Sequence, residues 1–443
     1  MKKYEEYRKQ ALEWLLTGIN AVHPRECIPQ NLQFNVDQQI LKVQDKKFHL
    51  SKDPELIAIG KASLEMAKET LTIIPTIKQG IIVTQDKEKE QSIDERIEIF
   101  RAEHPVPGKG SLKAGKRIKQ FLINRKPEDV LIFLLSGGGS SLLAYPKQSI
   151  SMKDKVMMTE ILLQSGATIH EINCLRKHVS QVKGGQLAYL SYPALLLTLA
   201  ISDVPGNNPQ IIASGPSYPD SSTYKDAMQV IEKYSLKEKL PESILNHIIE
   251  GVKGKYPETP KKGNKRLERA HYFIIASNRI ACEAIAKKVT EKGIDNQILT
   301  TQMQGEAKKM GKSIANIAKQ QLKQKERKLT IWGGETTVRL SPQPGKGGRN
   351  QEFACSLLSA MDESEEGWLF SAIGTDGVDG NSPAAGAIVD QETWREAKSK
   401  DLNPEVFIDA HNTYEFFKQT DSLITTSPTG TNVADIALLW IWK

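Results

Sequence analysis

Val130-Leu-Ile-Phe-Leu-Leu135 running into Ser136-Gly-Gly-Gly-Ser-Ser141 is the stretch that decides the fold class. Consecutive apolar residues without alternation describe a strand buried on both faces, which points to a parallel sheet covered by helices. The turn that ends it lets the backbone approach a ligand with no Cβ in the way. It opens into a helix start, where unpaired N–H groups and the helix dipole favour an anion. A tight packing turn is the plainer reading, but three glycines between serines exceed what packing requires. A serine nucleophile is disfavoured because the G-x-S-x-G elbow is absent.

The same kind of run recurs at Leu56–Ile59, Gly80–Val83, Ala194–Ile201, Tyr272–Ala276, Gln297–Thr300, Leu329–Trp332, Trp368–Ile373 and Gly386–Val389. Helical stretches such as Ser63–Thr70, Leu112–Asn124, Lys153–Ser165, Ile280–Lys292 and Ala307–Lys323 separate many of them. Strands alternating with helices give an α/β fold. A chain of 443 residues exceeds one simple core, so two domains are expected. The polar, proline-broken and basic segment 251–269 reads as a linker or surface loop between them. Ligands in such sheets sit beyond the carboxyl ends of strands, where the glycine turns of both halves fall, so a cleft between the domains is expected.

Composition narrows the class further. With 39% hydrophobic and 26% charged residues the chain reads as an ordinary globular protein. Its net charge of +7 suits an anionic small molecule or a solvated surface equally. Cys27, Cys174, Cys282 and Cys355 are scattered, which fits neither a zinc ribbon nor a disulfide framework. The N-terminal 23 residues suggest an amphipathic helix rather than a signal peptide, and the longest apolar run, Ala194–Ile201, is far short of the ~18 residues of a membrane span. The expectation is a cytoplasmic protein with no membrane contact. Nucleic acid is not expected either, because aromatics do not interleave with the basic segment.

Five glycine-rich turns carry the chemistry. A P-loop is absent: the nearest approach, Gly311-Lys312-Ser313, has Glu306 where the first glycine belongs. No G-x-G-x-x-G follows a strand. Lys61, in Ile59-Gly-Lys-Ala-Ser63, falls at a helix start where a cation opposes the dipole, which suggests an anion nearby. Arg176, Ser180 and Lys183 lie at i, i+4 and i+7, one face of a helix able to clamp a carboxylate or phosphate, or else a solvated face. Asp203 ends an apolar strand and is placed as a base, a metal ligand or a turn cap. Gly333-Gly-Glu335-Thr is read as a turn after a strand. Arg349 and Asn350 follow a glycine-rich segment from which an arginine reaches a transferring phosphoryl group. Asp376 and Asp379, in Gly374-Thr-Asp-Gly-Val-Asp-Gly380, resemble an acidic Mg²⁺ loop, with a pair of Asp-Gly turns as the alternative.

Together these segments resemble the class II glycerate kinase family, whose C-terminal half is known as the MOFRL domain. The resemblance rests on Ile59-Gly-Lys-Ala-Ser, His104-Pro-Val-Pro107, Ser136-Gly-Gly-Gly-Ser-Ser, Asn173-Cys-Leu-Arg-Lys-His178 and Lys183-Gly-Gly-Gln-Leu-Ala. It continues through Ser202-Asp-Val-Pro-Gly, Ala213-Ser-Gly-Pro-Ser, Gly333-Gly-Glu-Thr-Thr-Val, Gly347-Gly-Arg-Asn-Gln-Glu352, the Gly374 loop and Thr429-Gly-Thr-Asn432, in order along nearly the whole chain. It implies a Rossmann-like N-terminal domain over 1–250 and a mixed-sheet α/β domain over 270–443. The activity implied is ATP- and Mg-dependent phosphorylation of D-glycerate on its 2-hydroxyl.

Lys61 and Arg349 match positions regarded as catalytic in that family. Asp203 is then expected as proton acceptor or metal ligand, and Ser136, Gly137, Gly138, Gly139, Ser140, Ser141, Arg176, Lys183 and Asn350 as substrate or phosphate contacts. Asp376, Asp379 and Glu335 are expected around the metal, and the protein is expected as a monomer or homodimer. The rivals are a hydroxypyruvate reductase, which needs the missing dinucleotide fingerprint, and a non-catalytic binder of sugar acids or phosphates.

Overall fold

A computed structural model describes residues 2–85 and 93–442. The chain divides into two compact units. One comprises Cys27–Ser202 and Asn207–Ile275, and the other the chain up to Glu26, Asp203–Gly206 and the chain from Ala276 onward.

The first unit, called N-terminal below, is built on a six-stranded sheet. Its spatial order is Ile97–Arg101, Gly80–Thr84, Glu55–Ile59, Val130–Leu135, Leu195–Ser202, Ala270–Ser277. The first five pair in parallel. Every residue of Glu55–Ile59, Gly80–Thr84, Val130–Leu135 and Leu195–Ser202 is buried, as unbroken apolar runs require. Numbered along the sheet the order is 3-2-1-4-5-6, that of a Rossmann fold. The order reverses between Glu55–Ile59 and Val130–Leu135, which places the Gly60 and Ser136 turns at the switch point. Beside the sheet, the helices Met152–Gln164, Ile169–His178, Tyr224–Lys233 and Glu242–Val252 enclose a core of their own, centred on Met158, Leu175, Tyr224, Ile231 and Ile248.

The C-terminal unit carries a mixed sheet in the order Asn296–Glu306, Lys328–Thr337, Asp435–Ile441, Trp368–Gly374, Gly386–Asp390, Leu423–Ile424. Only the first pair is parallel. Helix Arg349–Ala360 is buried from Asn350 to Leu358. A helix buried all round belongs inside a core, and Phe353 stacks edge-on to Phe370 of the sheet with centroids 5.0 Å apart.

Three sequence expectations change here. The N-terminal helix Lys2–Ala21 belongs to the C-terminal unit: Trp14 packs its ring 4.7 Å from Trp440, and Arg8 pairs with buried Asp390 at 2.7 Å. The segment 251–269, expected as a linker or surface loop, is a largely exposed loop within the N-terminal unit rather than a linker, anchored at buried Asp220: Thr259 Oγ1 donates to Asp220 Oδ2 at 2.8 Å and the Asp220 amide donates to the Pro260 carbonyl at 2.9 Å. Strand Ala270–Ser277 then joins the N-terminal sheet, so the borders drawn at 1–250 and 270–443 do not hold. Gly333 and Gly334 are not a turn but lie within strand Lys328–Thr337. A Cβ on Gly333 would sit 1.5 Å from Asn278 Oδ1, so glycine here serves close packing.

Candidate functional site

In the N-terminal unit the switch point gathers Lys61, His104 and the Ser136–Ser141 turn. Ser136 ties the two strand ends together. Its amide donates to the Ile59 carbonyl at 3.0 Å, and its Oγ accepts from the Ala62 amide at 3.0 Å. The Lys61 amide donates to the Gly137 carbonyl at 2.9 Å. Gly60 has φ +131°, and a Cβ there would lie 2.1 Å from Ser136 Oγ. That position admits only glycine. Gly138 adopts φ +80° and faces both His104 and the Lys61 side chain. Burial lowers the pKa of His104, and Lys61 adds to the effect. Gly139 packs on Ala213, which a Cβ would approach to 2.8 Å.

A cavity of about 340 Å³ opens beside this turn, lined by Gly138, Ser140, Ser141, Lys155 and Arg176 among others. Ser140 Oγ lies 2.8 Å from Ser214 Oγ, which in turn donates to Asn173 at 2.9 Å. Helix Ile169–His178 presents Arg176. A reciprocal cap starts that helix: Thr168 Oγ1 accepts from the Glu171 amide, and Glu171 accepts from the Thr168 amide. The helix ends at His178, so Arg176, Ser180 and Lys183 do not share a helical face as expected. Lys183 instead runs through the interior, fully buried, with Nζ 3.4 Å from the Ala213 carbonyl. Lys155, which sequence reading missed, joins them from helix Met152–Gln164 and is 3% exposed.

The C-terminal unit holds a second constellation, centred on Arg349. Arg349 is the first residue of helix Arg349–Ala360, and its guanidinium grips Asp435 through Nε to Oδ2 at 2.5 Å and Nη2 to Oδ1 at 2.8 Å. The remaining Nη1 lies 2.9 Å from Glu335 Oε1. Asp435 is fully buried and opens strand Asp435–Ile441, opposite both Gly334 and Gly374. Burial pushes its pKa up while Arg349 holds it down. Partial desolvation raises Glu335, though its side chain is 46% exposed, against the pull of Arg349, with Asp435, Asp203 and Asp376 adding to the rise. Asp203, Asp376, Glu335 and Asp435 thus share one field around one arginine. A cavity of about 500 Å³ adjoins it, lined by Glu335, Val338, Gly347, Gly348, Arg349 and His411 among others.

Two expected site residues beside this group are engaged within the protein. Asp379 is 1% exposed and caps the helix, accepting from the amides of Asn350 and Gln351 at 3.0 and 2.9 Å and from both their side chains. Its carboxylate is occupied by four N–H donors, which leaves no lone pair directed at a metal. Asn350 is equally buried, with its amide nitrogen turned to Asp379 and its Oδ1 without a hydrogen-bond partner. Among the described residues no three His, Cys, Asp or Glu side chains form a ready metal cage. Mg²⁺ does not need one: it binds through one or two carboxylates and substrate phosphates, a donor set that Asp376, Asp203 and Glu335 can supply. Sequence reading missed Asp435, because its one visible signal was an acid heading the apolar run Ile436–Ile441.

A family described as "Domain of unknown function (DUF4147)" matches residues 10–249, and the MOFRL family matches residues 328–435. A protein of Pyrococcus horikoshii named glycerate 2-kinase is 38% identical over 98% of this chain and 97% of its own length. A protein of Agrobacterium vitis named putative hydroxypyruvate reductase is also 38% identical, over 87% of this chain and 86% of its own. The crystal structure of a glycerate kinase from Thermotoga maritima superposes with a TM-score of 0.86 at 36% identity, covering 99% of this chain and 100% of that one. Among the described residues no helix is long and apolar enough to cross a membrane. The chain is a kinase and belongs to the glycerate kinase family with a C-terminal MOFRL domain.

Proposed function

We propose that the protein transfers the γ-phosphoryl group of ATP to the 2-hydroxyl of D-glycerate, giving 2-phosphoglycerate and ADP. The observation that carries this reading is the segregation of charge within a glycerate kinase fold. The N-terminal unit gathers cations and hydroxyls at its switch point, suited to an acid, while the C-terminal unit gathers carboxylates around Arg349, suited to a metal-bound nucleotide.

Phosphoryl transfer asks for positioning and charge neutralisation more than covalent chemistry. Lys61 supplies positive charge to the transferred group, and Arg349, held rigid by Asp435, supplies a second cation of fixed orientation. Asp203 accepts the proton of the 2-hydroxyl as that oxygen bonds to phosphorus and the bond to the bridging β,γ-oxygen breaks, with ADP carrying away the electron pair. Mg²⁺, held by Asp376 and Glu335 with the nucleotide phosphates, would neutralise charge on the departing oxygens. Asp435 keeps Arg349 in place and takes no part in proton transfer. The substrates are small molecules in water, consistent with a cytoplasmic enzyme.

Phosphorus NMR of the purified chain with ATP, Mg²⁺ and D-glycerate tests the reading. A 2-phosphoglycerate resonance is expected. Appearance of 3-phosphoglycerate would refute the regiochemistry, and no phosphorylated product from either enantiomer would refute the function. The reductase name carried by the Agrobacterium vitis relative supplies the rival. The sequence has no dinucleotide fingerprint. Oxidation of a nicotinamide cofactor by hydroxypyruvate, followed at 340 nm with the pure protein, would favour that rival.

A further inference from the structure

Lys155, Arg176 and Lys183 are three basic side chains gathered at one cavity, with no acid within ion-pair distance among the described residues. Lys155 and Arg176 line the cavity of about 340 Å³, and Lys183 lies behind them with no exposed surface. Among the described residues none of the three is within ion-pair distance of a carboxylate, and neither Lys155 Nζ nor the Arg176 guanidinium has a hydrogen-bond partner. Glu160 also lines the cavity but is exposed and pairs with none of them. The fold does supply a counter-charge when a lysine is only structural. Lys177, next to Arg176 in sequence, is nearly as buried and is bonded to the buried carboxylate of Asp220. Burying unpaired like charges is costly, and an anion entering the cavity would offset the cost.

Which anion is decided by what else the cavity contains. A triphosphate arrives with Mg²⁺, and the carboxylates that metal needs are around Arg349 in the C-terminal unit. The apolar wall is Pro105, Val106, Pro107, Val156 and Leu163; the lining holds no Phe, Tyr or Trp, and its one aromatic ring is the His104 imidazole beside Lys61. Ser140, Ser141 and Thr159 add hydroxyls suited to a hydroxy acid. We propose that Lys155 and Arg176, backed by Lys183, bind the carboxylate of the hydroxy-acid substrate, and that Lys155 is a specificity-determining residue for small 2-hydroxy acids. This rests on the glycerate kinase reading given above.

Titration calorimetry of the whole chain with D-glycerate, and separately with Mg-ATP, tests it in the wild type, Lys155→Met and Lys155→Arg. Removing a charge-assisted bond should weaken D-glycerate by ~10–100-fold and raise its KM alike. Mg-ATP affinity should stay within about twofold, as expected of a site that holds no metal. Lys155→Arg keeps the charge and should recover most of the D-glycerate affinity. Loss of Mg-ATP affinity in Lys155→Met would assign the cluster to the nucleotide and overturn the proposal. Undiminished D-glycerate affinity in that variant, with a wild type that still makes phosphoglycerate, would overturn it while leaving the function intact. A wild type that neither binds nor phosphorylates D-glycerate would refute the function itself, and this proposal with it.

Discussion

Replacing Arg349 by methionine removes the only cation among the described residues that is bonded to Asp435, and the cost should depend steeply on pH. Asp435 is fully buried and receives two guanidinium hydrogen bonds at 2.5 and 2.8 Å. Breaking a buried pair by deleting one partner costs about 3–5 kcal/mol. Because the Arg349 side chain is 31% exposed, the lower end, about 3 kcal/mol, applies at pH 8.

The stranded carboxylate has an escape through protonation. Relative to an unfolded pKa near 3.9, that costs about 1.4 kcal/mol per pH unit, hence about 1.5 kcal/mol at pH 5 and over 5 kcal/mol at pH 8. At pH 5 the protein therefore protonates Asp435 and loses only about 1.5 kcal/mol, whereas at pH 8 it carries the full penalty. The sign follows from linkage. A carboxyl whose folded pKa is raised binds more protons folded than unfolded, so stability falls as pH climbs through the folded pKa. Glu335 loses the same cation, but its side chain is 46% exposed and stays hydrated.

Urea unfolding followed by tryptophan fluorescence is the assay. All six tryptophans (Trp14, Trp332, Trp368, Trp394, Trp440 and Trp442) lie in the C-terminal unit, so the signal isolates it. A deficit below about 1 kcal/mol at pH 8, or equal deficits at pH 5 and pH 8, would refute the account of Asp435 as a carboxylate held ionised by Arg349.

Other outcomes follow from the same geometry. Lys61→Ala should lower kcat by ~100–1000-fold, as loss of one fixed cation on a developing charge does, with the urea midpoint unchanged; near-normal turnover would remove Lys61 from the mechanism. Asp379→Ala should cost the C-terminal unit about 1–2 kcal/mol through loss of the helix cap, while the Mg²⁺ concentration for half-maximal rate stays fixed. Asp376→Ala should show the reverse pattern, a raised Mg²⁺ requirement with little loss of stability, and fluorescence and metal titration separate the two. D-Glycerate affinity should fall with rising pH. Burial and Arg176 hold Lys155 down to about 8, a bound carboxylate favours the protonated form, and His104, Arg176, Lys183 and Glu160 are the other charged or titratable groups at the cavity. Calorimetry should show about a tenfold weakening between pH 7 and 9, and a flat profile would mean that Lys155 does not meet the acid.

The sequence by itself determined the α/β class and the parallel core. Unbroken runs such as Val130–Leu135 and Leu195–Ser202 can be stable only where both faces are covered, and all their residues are buried. It also determined where the switch-point turn lies, because Gly60 and Gly138 adopt positive φ, as glycine readily does. Tertiary structure alone decided the partners. Asp435 is 86 residues from Arg349 and meets it through a strand register that sets it opposite Gly334 and Gly374. Lys155 lies on the buried side of helix Met152–Gln164 with Met158 and Leu162, and only packing brings it beside Arg176 and Lys183. Asp379 and Asp376 share one loop and one residue type, yet the carboxylate of one is taken up by the N–H donors of a buried helix start and the other acts electrostatically on Glu335 and Asp435. Local pattern reports which apolar runs are buried. Which charge a side chain faces depends on how distant segments close on one another, and that information is carried by packing across the whole unit rather than by residue spacing.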